Sequence, residues 1–492
     1  MKSLAAFAAA MFVFGVAHAR PGNYDESKVA PFTLEDPLAF ADGRKLKGPA
    51  EWPARRAEIL RIFEKGMYGR MPPKPDCMVA ELMDEKVTMS EFAIRRRVRQ
   101  FFRADKSGPF IDWLILRPRF ATGPVPVILF LNPVGAIQLL PDDDLTIADG
   151  YREANPGPKK RPEKRPAAGA SKLRGQWCDP NNRNYWPIGD IIARGYAVMT
   201  ACYFDIAPDP DKKEDRATKW RRRCFDLWPA WDEAAPDNTK SLMAWAWGLC
   251  RGLDLAKQEP GIDASRSVVT GCSRLGKAAL LAGAYDDRFA VVVPNQTGNG
   301  GAPLIKHYFG ENIETESKSF PHWFTRSYFA YATKAETIPF DQHMLLACVA
   351  PRHLLIEGFD QKWFDTRGEY LACQAASPVW EFLGKPGLPK KPFPPDFDTS
   401  CIGSHLGYVR RSGNHGLSPY DWRWMLAFAD QAFAQMPKRT VALQIVLPSD
   451  VAGNTAFRRA ADALQRYWQE ICGEKPPVVS VPGGGARTIT FG

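Results

Sequence analysis

The sequence predicts an α/β fold: a mainly parallel sheet with helices on both faces. Three observations carry that expectation. Short β-branched or apolar runs, such as Pro126 to Leu131 and Gly195 to Thr200, read as strands buried on both faces. Between such runs lie Ala/Leu-rich or amphipathic stretches of helical length, and strands alternating with helices imply parallel pairing. The third observation is Val268-Val269-Thr270-Gly271-Cys272-Ser273-Arg274-Leu275-Gly276-Lys277-Ala278-Ala279-Leu280-Leu281, where a strand turns sharply through small residues into a helix.

A serine between strand and helix is the nucleophile elbow of an α/β-hydrolase. The turn exposes the Ser273 hydroxyl and aims the following N–H groups at any oxyanion that forms. In the usual pattern a glycine stands two residues after the serine; here that position is Leu275 and the glycine is Gly276.

The elements are read in order as follows. Lys2, the apolar run Leu4 to Val16 and Ala17-His18-Ala19 form a signal peptide, with cleavage expected after Ala19 and export to the periplasm or outside the cell. Pro53 to Tyr68 reads as a helix. Glu91 to Phe102 and Phe110 to Leu116 read as two strands, a hairpin at one sheet edge. Asn132-Pro133-Val134-Gly135, after the strand Pro126 to Leu131, is a loop of the kind that supplies a second oxyanion donor. Residues 138–185 read as an irregular insertion and 205–238 as a polar, aromatic loop region. Ser241 to Lys257 is a helix that packs beside the elbow strand. Ala290 to Val293 and Arg352 to Glu357 are the next strands, and Asp421 to Ala434 is a late helix. Composition changes near Pro437. Residues 439–492 read as a separate α+β segment, with a helix over Ala456 to Cys472, following a hydrolase domain over 20–438.

The chain has 492 residues, a net charge of +10 and a sequence pI of about 9.0. The positive charge is mostly scattered. One cluster, Lys159 to Arg165, lies in a Pro/Gly/Ala-rich stretch and reads as a solvated loop, with no nucleic-acid motif beside it. No run after the signal peptide resembles a transmembrane helix, so neither nucleic acid nor stable membrane insertion is expected, and the chain is expected to act as a monomer. Ten cysteines make disulfides possible in an exported chain, but no spacing pairs them. No HExxH or clustered Cys/His set points to a metal, and no cofactor is expected.

A serine nucleophile needs a base, and the base needs an orienting acid, in the chain order Ser, acid, His. Of seven histidines, His18 leaves with the signal peptide. His353 begins a strand, and His405 and His415 follow the last predicted strand. Gly413-Asn414-His415-Gly416, directly before the final helix, makes His415 the preferred base and His405 its rival. Asp360 in Gly358-Phe359-Asp360 is the preferred acid, with Asp365 the alternative.

At this point a family resemblance becomes specific. The elbow, Trp245-Ala246-Trp247-Gly248, Asp287-Arg288-Phe289-Ala290, Asn295-Gln296-Thr297-Gly298-Asn299-Gly300-Gly301-Ala302, Pro321-His322-Trp323-Phe324 and Gly413 to Trp422 together resemble the glucuronoyl esterases of carbohydrate esterase family fifteen. Trp52 to Arg56 and Tyr68 to Pro72 extend the match, which covers roughly residues 35–436. The resemblance implies hydrolysis of 4-O-methyl-glucuronoyl esters in glucuronoxylan or lignin–carbohydrate substrates. It assigns Arg274 to the oxyanion hole and Lys277, Glu311 and Trp363 to the glucuronate hydroxyls. Two departures stand out. Fungal members carry the acid on a glutamate soon after the strand following the elbow, where this chain has Gln296. They also bridge the cysteine before the nucleophile to one just after the histidine, where this chain has Gly416. The tail from about 440 is similar to the start of a sugar-processing accessory domain. The competing functional readings are another carbohydrate esterase, such as an acetyl xylan esterase, or an inactive polysaccharide-binding protein.

Overall fold

The computed structural model describes residues 22–155, 174–182, 184–210, 214–228, 235–393, 396–435, 443–446, 454–472, 478–479 and 487–490. The expected signal peptide, the Lys159 to Arg165 cluster and the expected boundary at 438/439 lie outside the described residues.

A ten-stranded sheet forms the centre, in the order β1-β2-β3-β5-β4-β6-β7-β8-β10-β9. Its strands are β1 (Val79–Thr88), β2 (Ala93–Phe101), β3 (Phe110–Pro118), β4 (Val125–Asn132), β5 (Ala197–Cys202), β6 (Ile262–Cys272), β7 (Val291–Asn295), β8 (His353–Phe359), β9 (Thr399–Ile402) and β10 (Leu406–Arg411). The six strands from β5 to β10 in that order pair in parallel, whereas β1, β2, β3 and β9 join antiparallel at the two edges. Ile128, Val268, Val293 and Leu355 face one buried cluster, and Leu129, Val269, Val292 and Ile356 face another. Apolar residues on both faces are what a covered parallel sheet requires.

Helix α1 (Trp52–Phe63), α2 (Ser241–Ala256), α3 (Arg274–Tyr285) and α4 (Thr366–Phe382) contribute Ile59, Leu253, Leu280 and Val379 to one cluster. Helix α5 (Pro419–Ala434) contributes Trp422, Met425 and Ala429 to the other. All of α2 is buried, which explains its paired tryptophans: Trp245 Nε1 donates to Ala207 O and Trp247 Nε1 to Pro73 O, both at 2.9 Å.

Several elements escape the periodicity of the sequence. The expected hairpin is the β2–β3 pair, but β1 adds a third strand that its charges disguise. Asp84 and Glu85 pair across the strands with Arg97 and Arg96, so an edge strand is stitched by ions rather than by an apolar face. The helix expected over Pro53 to Tyr68 ends at Phe63 and opens into a wider turn, Glu64–Tyr68. Helix α4 and strands β9 and β10 were not expected at all. Strand β10 lies between His405 and His415, so the two histidines leave opposite ends of one strand.

Beyond 442, β11 (Leu443–Val446), helix α6 (Thr455–Cys472), β12 (Val478–Val479) and β13 (Arg487–Thr490) include a separate three-stranded parallel sheet. Among the described residues no helix is long and apolar enough to cross a membrane.

Candidate active site

Ser273 leaves β6 with φ 61° and ψ −127°, a conformation that non-glycine residues adopt only when their surroundings force it. Its N–H is held by Asn295 O at 2.9 Å, and its carbonyl accepts from Lys277 N at 3.0 Å. The displaced glycine of the elbow has a steric reason. A Cβ on Gly271 would lie 2.4 Å from Leu275 O, and one on Gly276 would lie 2.7 Å from Asn295 O. Close approach therefore occurs at 271 and 276, while Leu275 turns its side chain into the core.

Arg274 begins α3, where the first N–H groups and the helix dipole favour negative charge beside Ser273. Its guanidinium pairs with Asp209 and lies 4.9 Å from the centre of the Trp323 ring. Asp209 is almost wholly buried and also accepts from His322 Nε2 at 2.7 Å, Trp323 Nε1 at 3.2 Å and Tyr203 OH at 3.2 Å. Burial alone would raise this carboxyl; Arg274 and His322 overcome burial and hold it well below the usual carboxylate range. Asp209 lies in a loop with no motif of its own, so only the three-dimensional arrangement reveals it.

The Asn132 to Gly135 loop presents a different picture from the one expected. Asn132 Oδ1 accepts the Gly135 N–H at 2.5 Å, so the tight turn uses that donor internally.

His415 sits in the loop after β10, with its ring stacked on Phe364 at 5.1 Å and tilted against Phe359 at 5.5 Å. Phe359 ends β8 and Asp360 follows it, exposed. Strands β6, β8 and β10 are parallel, so Ser273, Asp360 and His415 all leave the same carboxyl edge of the sheet. His405 stands at the other edge, stacked 4.5 Å from His353 at the start of β8. Asp365 is engaged elsewhere. It caps α4 through Gly368 N at 2.9 Å and meets His307 Nδ1 at 2.9 Å. Glu357, within β8 and three residues before Asp360, is fully buried and accepts from Asn295 Nδ2; burial pushes its acid well above the carboxylate range.

Lys277 and Glu311 meet in one buried patch. Lys277 Nζ is 3.6 Å from Glu311 Oε2, 3.3 Å from Glu316 Oε1 and 5.2 Å from the Trp323 ring centre. The half-buried Trp363 joins them through Glu311, whose N–H donates to Trp363 O at 2.8 Å and whose carboxylate takes a hydrogen bond from the Trp363 side chain. Burial pushes Glu311 up, while Lys277 and Trp363 pull it back. Burial, with the neighbouring Glu311 charge, pushes Glu316 up to about 8. Glu316 has no sequence signal beyond a charged helical stretch. Its Oε2 is buried without a hydrogen-bond partner.

Among the described residues, nine cysteines are unbridged and no group of three His, Cys, Asp or Glu side chains is placed to hold a metal ion. Cys272 Sγ lies 3.8 Å from Gln296 Oε1, and Gly416 exchanges two hydrogen bonds with the same Gln296 side chain, accepting one at its carbonyl and donating one from its N–H.

The model of the family described as "Glucuronyl esterase, fungi" matches residues 192–384. A carbohydrate esterase named MZ0003, from an unknown prokaryotic organism, is 34% identical over 420 residues, which span 84% of this chain and 93% of that protein. A solved glucuronoyl esterase from Solibacter usitatus is 34% identical with a TM-score of 0.73, covering 83% of this chain and all of that one. A 4-O-methyl-glucuronoyl methylesterase from Podospora anserina is 26% identical over 71% of this chain, which spans 60% of that protein. The chain therefore belongs to the glucuronoyl esterases of carbohydrate esterase family fifteen and is a carboxylic ester hydrolase with the α/β-hydrolase fold.

Proposed function

We propose that the chain is an exported serine esterase that hydrolyses 4-O-methyl-glucuronoyl esters, including those joining xylan to lignin. The observation that carries the reading is the closeness of two features. The strained Ser273 elbow stands one helical turn from a buried cation, Lys277, that faces Glu311. An uncharged acetyl group offers nothing for such a patch to recognise, whereas a uronate ring offers several hydroxyls.

In this reading Ser273 Oγ attacks the ester carbonyl while His415 takes its proton. Asp360 holds the imidazole tautomer and stabilises the imidazolium. The oxyanion forms beside the amino end of α3, where the Arg274 N–H and guanidinium meet it; losing one such donor costs about 10²–10³ in rate in related chemistry. The alcohol leaves with the proton from His415, and water then attacks the acyl-enzyme by the same route. Lys277, Glu311 and Trp363 hold the sugar hydroxyls. Export follows from the amino-terminal signal peptide, and the chain works as a monomer without metal or organic cofactor. Residues 439–492 form an accessory α+β segment.

Labelling with a serine-reactive phosphonate tests the nucleophile and base together. The reading expects one adduct, on Ser273, formed much more slowly in His415→Ala and in Asp360→Asn. An adduct on another serine, or none on the folded protein, contradicts it. Near-wild-type turnover by Asp360→Asn would remove Asp360 from the acid role.

A further inference from the structure

The loop that carries His415 has no secondary structure of its own. It runs from Ser412 to Ser418 between β10 and α5, and Gly413 and Gly416 adopt φ of 97° and 122°. Ser412, Gly413 and Asn414 are exposed. A base on such a loop keeps a fixed position only if something beneath it supplies the missing hydrogen bonds.

Gln296 and Arg411 supply them. Gln296 is fully buried, with φ 51°, immediately after β7. Its Nε2 donates to Gly416 O at 2.8 Å, and its Oε1 accepts from Gly416 N at 2.8 Å. Arg411 donates to Ser412 O at 2.8 Å, to Asn414 O at 2.9 Å and also to Gly416 O. Arg411 is itself fixed by Asp421 at 2.7 Å, and Asp421 accepts from Ser418 at the start of α5. Gln296 is anchored too: its N–H donates to Glu357 O at 2.7 Å. Its neighbour Asn295 supplies the carbonyl that holds the Ser273 N–H. One dipeptide thus touches the residue that bears the nucleophile and the residue beside the base.

We infer that Gln296 is a positioning residue that sets the place of His415 relative to Ser273. The inference rests on the reading of His415 as the base. An uncharged amide is the side chain that fits, because it can donate to the C=O and accept from the N–H of one residue at once. An ionised carboxylate could only accept, and would set its charge against Gly416 O.

Two variants test this on a benzyl ester of glucuronic acid. Gln296→Ala is expected to lower kcat about 10²-fold, with KM unchanged, since a misplaced base slows chemistry and not sugar binding. Phosphonate labelling of Ser273, which needs the base but no sugar, should slow in parallel. Gln296→Glu keeps the volume and tests the hydrogen-bond pattern itself. The protonated acid can both donate and accept, so the ratio of its kcat to that of the wild type should rise as the pH is lowered. Cys272 on β6, Glu357 on β8, Arg411 on β10, Asp421 on α5 and His415 beside Gly416 surround this contact in both proteins, so the profile is read as a ratio to wild type. Folded Gln296→Ala with kcat within about twofold of wild type, or a Gln296→Glu ratio flat with pH, overturns the inference. Should Gln296→Ala fail to fold, the Gln296→Glu ratio decides alone. Full activity in His415→Ala would instead overturn the assignment of the base, and the two failures are thereby distinguishable.

Discussion

The guanidinium of Arg274 is ion-paired to Asp209, a carboxylate that also accepts from His322, Trp323 and Tyr203. The charge next to Ser273 is therefore aimed from behind by a fixed, buried anion. Asp209→Asn keeps the size but removes the charge that holds the guanidinium. We expect kcat/KM on a glucuronate ester to fall about 10–10²-fold, the scale of an oxyanion donor lost in part, with most of the change in kcat. Steady-state kinetics at fixed pH check this, and an unchanged kcat would mean that Arg274 acts through its backbone alone.

The two carboxyls around Lys277 should behave differently. Glu316 is pushed up to about 8, so near pH 6.5 it is mostly a neutral acid, and Glu316→Gln changes little there. Glu311 takes its hydrogen bonds as the acceptor for Trp363 and Lys277. Glu311→Gln should raise KM for the sugar ester at least tenfold, about 1.4 kcal/mol of lost binding. Paired KM measurements on the two variants check the distinction. Equal effects would show that the pair shares its proton and cannot be divided into one binder and one support.

Asp205, in the one-turn helix Tyr203–Ile206 that follows β5, offers a test of pH-dependent stability. It is buried, accepts from Gly150 N at 2.9 Å, and burial pushes it up to about 7. Between about pH 4 and 7 the folded state holds a proton that the unfolded chain has released. Stability from this group is full below the unfolded value and is lost as the pH rises through the folded one. Asp205→Asn removes that slope while keeping the acceptor. Relative to wild type the variant should gain stability from pH 4 to pH 8, by no more than about 4 kcal/mol. Thermal unfolding of both proteins across that range checks the sign; a gain toward acid pH would contradict it.

Much of this architecture is legible in the residues. The apolar runs of β4, β5, β6, β7 and β8 declare buried parallel strands, and the small residues around Ser273 declare the elbow. Strand β1 is not legible, because an edge strand stitched by Asp84 and Glu85 to arginines shows no apolar alternation. Helix α4 lies between Trp363 and a proline-rich loop and carries Pro378 inside it, which masks its period. At the candidate site, Ser273, Arg274, Lys277 and His415 stand on motifs that are recognisable in the sequence. Asp209, Glu316 and Arg411 do not, because what defines them is a partner 10 to 113 residues away. The sequence marked Gln296 only as a side chain without charge, and the fold shows the two hydrogen bonds that its amide makes.

The central claim is that Ser273 opens glucuronoyl esters in preference to acetyl esters. Its most direct test is release of benzyl alcohol from benzyl glucuronate beside release of acetate from acetylated xylan, by wild type and by Ser273→Ala. The account predicts serine-dependent benzyl alcohol with little acetate. Acetate without benzyl alcohol would contradict the substrate assignment, and benzyl alcohol from Ser273→Ala at the wild-type rate would contradict the nucleophile.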